Sequence, residues 1–145
     1  MRKHLTYYAG LRYEMLRIGY PTTGQVRHVW LEGERIEGAA RYIETFTAEA
    51  TFFPTVNDDP THSYSEALTN PTHFGAIDYA LFNRSRYHIG AIVTHFLIKL
   101  GVDVEATYRA GITPYEATLK LLESDDTDLA NVAIEARSAL DYEHY

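Results

Sequence analysis

Hydrophobic residues near the start of the chain recur at helical spacing. Leu11, Met15 and Ile18 fall on one face of a helical wheel, and charged residues occupy much of the remainder. This pattern predicts a short amphipathic helix within residues 5–20. Pro21 follows it and is expected to stop it, because proline cannot continue a helix.

The next third of the chain has a mixed pattern. Residues 26–36 alternate between apolar and polar side chains, which predicts a β-hairpin turning at Glu32 and Gly33. Residues 35–53 fit a helix or a strand, and their alanines favour the helix. Residues 54–73 contain three prolines among Asn, Asp, Ser and Thr, which predicts a long loop.

From residue 74 onward, apolar stripes at helical spacing predict a string of short helices. Gly101 ends the longest stripe and is expected to adopt the left-handed conformation that terminates a helix. The acidic set Asp125, Asp126 and Asp128 stands before the last stripe, where carboxylates can cap the start of a helix. The apolar positions are Ile77, Ala80, Leu81, Ile89, Ile92, Val93, Phe96, Leu97, Leu100, Tyr115, Leu119, Leu122, Leu129, Val132, Ala133, Ala136 and Leu140.

An internal repeat lies within this helical region. Residues 74–80 and 112–118 align at an offset of 38, with apolar, small and acidic positions coinciding. A repeat of this length is typical of architectures in which short units stack on one another. Such units need neighbours, because one unit alone cannot bury its hydrophobic face.

The segment around the second copy resembles the ankyrin repeat family. Gly111, Thr113 and Pro114 match the family's helix-opening signature, residues 93–98 its outer helix and residues 101–104 its turn. The match has a physical basis: Thr113 can cap free amides, and Pro114 suits the first helical position.

The resemblance is clearest over residues 73–136 and is imperfect. Gly75 and Ala76 stand where Thr-Pro is expected, and residues 83–88 are interpreted as a lengthened loop between helices. The resemblance implies a mainly α fold, an ankyrin-like stack of short antiparallel helix pairs that allows a β-hairpin in the N-terminal third. An irregular helical or α+β domain is the alternative.

The expected organisation is a single domain over residues 1–145. Residues 1–53 would form a divergent N-terminal repeat or cap and residues 54–73 the long loop. Residues 74–145 would form the ankyrin-like repeats.

Charge is distributed unevenly along the chain. The net charge of −7 divides into +3 for residues 1–41, −3 for residues 42–99 and −7 for residues 100–145. An acidic C-terminal third repels phosphate backbones, so nucleic acid is not expected as a partner. It suits a basic protein partner instead.

The sequence lacks the residues that several kinds of catalytic and metal site require. There is no cysteine, which excludes disulfides, thiolate zinc sites, iron–sulfur clusters and cysteine nucleophiles. The seven histidines form no His-Glu-x-x-His or tight ligand pair, and phosphate-cradling or dinucleotide-binding glycine motifs are missing. We therefore expect no metal, no cofactor and no enzymatic activity.

The sequence also bears on location. No apolar run reaches the roughly 18 residues of a membrane span, and no signal-peptide pattern follows the basic start. A soluble, cytoplasmic protein is expected.

The ankyrin resemblance implies a protein-binding module whose partner contacts a finger and the starts of inner helices. The finger residues would be Glu105, Thr107, Tyr108 and Arg109, followed by Asp78 and Glu116 at the helix starts. Tyr108 is expected to be an exposed anchor, since aromatic residues often dominate interfaces. A specific version is an inhibitor or immunity-type protein that sequesters a basic toxin or nuclease.

Two other functions stay open at this point. One is a small enzyme or ligand-binding α+β domain with its site at the 54–73 loop, where His62, His73 and Asp59 supply polar groups. The other is self-assembly into a homo-oligomer through tyrosine-rich faces, since the chain has twelve tyrosines.

Overall fold

Six α-helices account for most of the chain that the computed structural model describes, which is residues 1–18, 24–52 and 85–139. No strand occurs in those three ranges, so the mainly α prediction is confirmed for them. The helices are α1 (Arg2–Arg17), α2 (Gly24–Phe52), α3 (Ser85–Lys99), α4 (Val104–Arg109), α5 (Pro114–Leu122) and α6 (Asp126–Ala139).

The helix boundaries in the C-terminal half follow the local sequence. Thr113 caps α5: its hydroxyl accepts from the Glu116 backbone N–H (3.3 Å), and the Glu116 carboxylate accepts from the Thr113 N–H (2.8 Å). Gly101 has φ +86°, which is the left-handed conformation of a residue that ends an α-helix. Asp125 accepts hydrogen bonds from the backbone N–H groups at the start of α6, as predicted.

The predicted β-hairpin over residues 26–36 is wrong, because this segment is part of α2. The helix preferred for residues 35–53 is confirmed as far as Phe52. The buried face of α2 includes Trp30, Glu34 and Gly38, which repeat every four residues. A carboxylate and a glycine are not apolar, so the helical period of this face is hidden in the hydrophobic pattern.

Helix α1 turns a different face inward from the one predicted. Ile18 is exposed, whereas Leu5, Ala9 and Arg12 are buried. Leu5 belongs to a core cluster with residues of α3, α4 and α5, and Ala9 belongs to a second cluster with residues of α5 and α6. The N-terminal helix therefore packs against residues of all four described helices from α3 to α6.

Helices α2 and α3 run in the same direction, side by side. Gly33 lies against Arg86, Gly38 against Gly90, and the Tyr42 ring against the ring of His95 at 5.9 Å. A Cβ added at Gly38 would stand 2.5 Å from Gly90 Cα, so these two backbones touch. Such close approach requires glycine on both helices.

Helix α3 begins earlier than the sequence suggested. It starts at Ser85, so the part of the predicted loop from residue 85 to 88 is helical instead. Gly90 lies inside this helix, where its missing side chain makes room for α2. Helices α1 and α6 form the other extensive pair, with Gly10 against Val132 and Ala133.

The ankyrin-like stack itself is not confirmed. Residues 93–98 are helical, as the resemblance implies. Of the predicted turn over residues 101–104, residues 101–103 are not helical, but Val104 already begins α4. The first repeat copy, residues 74–80, and the predicted 54–73 loop lie outside the described residues. The single-domain organisation stays a prediction. No helix in the described ranges is both long and apolar enough to cross a bilayer.

The Gly38–Gly90 contact predicts an unusual response to Gly38→Ala. In an exposed helix this change stabilises by about 1 kcal/mol. Here we expect a loss of about 1–3 kcal/mol, because the new methyl group meets the α3 backbone. Urea unfolding followed by circular dichroism measures it. The control is Asn131→Ala on the exposed side of α6, expected within about 0.5 kcal/mol of wild type. A stabilised Gly38→Ala variant would rule out the close contact.

Candidate functional site

The finger residues of the sequence prediction lie on α4, a helix of six residues. Glu105 and Arg109 are both about four-fifths exposed and pair with each other at 2.6 Å. Thr107 is half-buried, and its hydroxyl donates to the Asp103 carbonyl at 2.6 Å. Only Glu105 and Arg109 therefore present free surface to a partner at this place.

Tyr108 is not the exposed anchor that the sequence suggested. It is 8% exposed and belongs to the core cluster of Leu5, Val93 and Leu97. Its hydroxyl shares a hydrogen bond of 2.8 Å with the Thr94 hydroxyl. The reason is helical spacing: Val104 and Tyr108 are four residues apart on α4, so both point inward, and the charges on either side point outward.

The remaining predicted contacts are not brought to this surface. Glu116 is exposed, but its carboxylate is held in the capping box of α5 by the backbone and hydroxyl of Thr113. Asp78 lies outside the described residues, as do His62, His73 and Asp59 of the alternative site. The predicted residues thus do not form one continuous site in the part of the chain that is described.

A broader acidic surface does cover helices α4 to α6. All eight carboxylates between residues 101 and 139 are exposed, against three exposed cations. The carboxylates are Asp103, Glu105, Glu116, Glu123, Asp125, Asp126, Asp128 and Glu135, and the cations are Arg109, Lys120 and Arg137. This surface agrees with the charge distribution read from the sequence.

Several of these carboxylates also accept hydrogen bonds from within the protein. Asp103 caps α4 by accepting from the Ala106 N–H at 3.0 Å, and Asp125 caps α6. Glu135 accepts from the Tyr7 hydroxyl at 2.8 Å. The carboxylates of Glu123 and Asp126 are exposed and make no hydrogen bond or ion pair within the described chain. These two carboxylates are therefore available to a partner.

A buried charged cluster joins α1 to α2 and was missed by the sequence analysis. Glu34 is completely buried and forms an ion pair with Arg12, which is 5% exposed. The Tyr8 hydroxyl donates to Glu34 Oε2 at 2.6 Å, and the Trp30 indole N–H donates to Glu34 Oε1 at 3.3 Å. Both carboxylate oxygens are thereby occupied by donors from the protein itself.

The arginine of this cluster is held as closely as the carboxylate. The Arg12 guanidinium carbon lies 5.5 Å from the ring centres of both Tyr8 and Trp30. Burial by itself lowers the pKa of Arg12, but the charge of Glu34 and the contact with Tyr8 raise it above its ordinary value. The guanidinium therefore remains a cation inside the protein.

The two tyrosines next to this cluster are held in their neutral form. Burial, followed by the charge of Glu34, raises the pKa of Tyr8 well above its usual range. Burial raises the pKa of Tyr108 to about 12, although the hydrogen bond with Thr94 acts in the opposite direction. Both phenols therefore resist ionisation, and with Glu34 enclosed the cluster serves to hold helices together.

The sequence contains little signal for this cluster. Arg12 and Glu34 are 22 residues apart and belong to different helices, and each resembles an ordinary surface charge. The one available hint is that Trp30 and Glu34 are four residues apart and share a helix face.

Histidines do not form a metal centre in the described ranges. One helix, α3, contains both His88 and His95, and both are buried. No group of three or more metal-ligating side chains occurs among the residues whose positions the structure gives.

The buried ion pair predicts strong coupling between Arg12 and Glu34. We expect Arg12→Met and Glu34→Leu each to cost about 3–5 kcal/mol of stability, since each leaves a charge buried alone. The double variant should lose far less than the sum. Urea unfolding of all four proteins gives the coupling energy.

The matched control for that cycle is the exposed pair of Arg41 and Glu44, which are 2.9 Å apart on α2. Its coupling should stay below about 1 kcal/mol. Additive losses for Arg12 and Glu34 would contradict the buried pairing.

The raised pKa of Tyr108 predicts a loss of stability in alkaline solution. Between about pH 10 and pH 12 the unfolded chain releases the phenolic proton while the folded chain retains it. Stability contributed by the neutral phenol is complete below pH 10 and falls by up to about 1.4 kcal/mol per pH unit above it. Urea midpoints from pH 8 to 12 should therefore fall less steeply for Tyr108→Phe than for wild type. Parallel profiles would refute the prediction.

Comparison of this chain with known proteins finds no relative. The chain matches no protein-family model, no curated protein and no solved structure. The arrangement of its own side chains is therefore the basis for proposing a function.

Proposed function

We propose that this protein is a non-enzymatic protein-binding module whose acidic surface on α4 to α6 binds a basic protein. The observation that carries the proposal is the exposure of all eight carboxylates in residues 101–139 against three cations. A surface of one dominant sign attracts partners of the opposite sign and speeds their encounter.

Two carboxylates of the acidic surface are free to pair with a partner. Inside the protein, the Glu34 carboxylate is matched by the Arg12 guanidinium. On the acidic surface, Glu123 and Asp126 have no such partner in the described chain. A basic protein that supplies Lys or Arg to these two carboxylates would form charge-assisted hydrogen bonds.

The specific form we propose is an inhibitor or immunity-type protein that covers a basic toxin or nuclease. Such targets present Lys and Arg because they bind phosphate backbones. An acidic surface competes for the same positive groups, which supports sequestration as the role.

The ankyrin-like arrangement remains part of the proposal. It is supported by the capping box at Thr113 and Glu116 and by the positive φ of Gly101 and Gly111 at the turns. In this interpretation the carboxylates of α4 to α6 lie on consecutive units of a short stack, where one partner can contact several of them.

Removing the two unpaired carboxylates tests the acidic surface. The variant Glu123→Gln, Asp126→Asn should lose a basic partner that immobilised wild-type protein captures from a lysate of its host. The control variant Glu37→Gln, Glu44→Gln removes the same charge from α2 and should retain that partner. Circular dichroism establishes that both variants are folded.

Salt provides the second arm of this experiment. Raising the ionic strength from about 0.15 M to 1 M shortens the screening length from about 8 Å to 3 Å, so the partner should elute. A captured protein that is acidic, or that stays bound to the Glu123→Gln, Asp126→Asn variant in high salt, would contradict the proposal.

A further inference from the structure

The outward side of α2 carries large apolar residues. Ile36, Ile43 and Phe46 are 56%, 63% and 47% exposed. Ala40 and Thr47 are exposed on the same side, so positions 36, 40, 43 and 47 form a seam spaced by four, three and four residues. We call these five residues the outer seam of α2.

The outer seam lies away from the neighbour that α2 already has. Gly38 and Thr45 are buried on the side that faces α3, which is opposite the seam on the helical wheel. Alternate spacing of three and four residues is the pattern of helices that pair with another helix along their length. The seam thus has the form of a second helix-packing face.

The stacked rings of Tyr42 and Phe46 extend the apolar surface beside the seam. Their centres are 5.8 Å apart with nearly parallel planes. Tyr42 in turn contacts the His95 ring of α3, so this end of the seam is anchored to the core. A partner would therefore meet a surface that is largely formed in advance, which lowers the entropic cost of association.

Charge distinguishes among the partners that this seam could accept. Glu37, Arg41 and Glu44 flank it, with both signs present and Arg41 and Glu44 already paired at 2.9 Å. The carboxylates beside the seam outnumber the cations by only one, so a strongly basic partner would be attracted less here than to α4 to α6. A surface with both signs can match a copy of itself, because each cation can approach an anion of the other copy.

We propose that a second copy of this chain packs its α2 against the outer seam, forming a symmetric dimer through helix–helix contact. The net charge of −7 opposes association through the acidic helices, which would bring carboxylates of two copies together. Pairing through α2 uses the apolar seam of each copy and leaves α4 to α6 available to another protein. The dimer is independent of the proposed function.

A charge placed in the seam tests the dimer. Sedimentation equilibrium of wild type should give about 33 kDa, twice the 16.5 kDa of one chain. Ile43→Glu should raise the dimer dissociation constant about 100-fold, since the change occurs twice in a symmetric interface and each costs about tenfold or more. The matched control is Ile134→Glu on α6, where the isoleucine is 60% exposed, and it should leave the constant unchanged.

A cross-linking experiment uses the absence of cysteine in the chain. At least one of the single substitutions Ala40→Cys and Ile43→Cys should yield a covalent dimer on mild oxidation if the middle of α2 meets the same part of its copy, because disulfides need Cα atoms within about 7 Å. Ile134→Cys should remain a single chain under the same conditions. These conservative changes keep the test valid if Ile43→Glu fails to fold.

Two results would overturn the dimer. The first is a mass of one chain at all accessible concentrations; if Ile43→Cys then also resists a small thiol reagent, another part of the same chain covers the seam. The second is a dimer that Ile43→Glu leaves intact.

Discussion

The buried ion pair of Arg12 and Glu34 sets the relation between α1 and α2, and the other helices depend on that relation. Moving two such charges out of water costs several kcal/mol for each ion. Here the cost is offset only in one geometry, in which the hydroxyl of Tyr8 and the indole of Trp30 complete the carboxylate's hydrogen bonds. A shift of either helix would leave a charge buried without its partner, so the register is tightly specified.

Each of these two helices packs closely against one further helix at a glycine. Gly10 allows α6 to approach α1, and Gly38 with Gly90 allows α3 to approach α2. Close backbone approach leaves no room for adjustment by side chains, so the positions of α3 and α6 follow from those of α1 and α2. Leu5 and Ala9 on α1 complete the arrangement by contributing to the two apolar clusters beneath.

The exterior has two surfaces of different character, an acidic one on α4 to α6 and an apolar one on α2. The buried carboxylate of Glu34 is matched by Arg12, whereas the exposed carboxylates of α4 to α6 outnumber the cations there and are screened by water and salt. Three large apolar side chains that the core does not use, Ile36, Ile43 and Phe46, lie on the outward side of α2. An acidic surface favours fast, salt-sensitive contact with a basic protein, whereas an apolar seam favours a close fit with another helix. The two surfaces therefore suit two different associations of one molecule.

Local features of this protein were determined by its sequence, and long-range ones by its tertiary structure. The cap at Thr113, the turn at Gly101 and the acidic character of α4 to α6 each depend on neighbouring residues, and all were predictable. The burial of Tyr108 and the helical state of residues 26–36 were not predicted. Tyr108 lies on one face of α4 with Val104, and the packing of that face against Leu5 and Leu97 of other helices made it the buried one. The face that α2 buries contains a carboxylate and a glycine, which have no hydrophobic signal. Burial of this carboxylate and this glycine becomes favourable only because Arg12 pairs with Glu34 and Gly90 packs against Gly38.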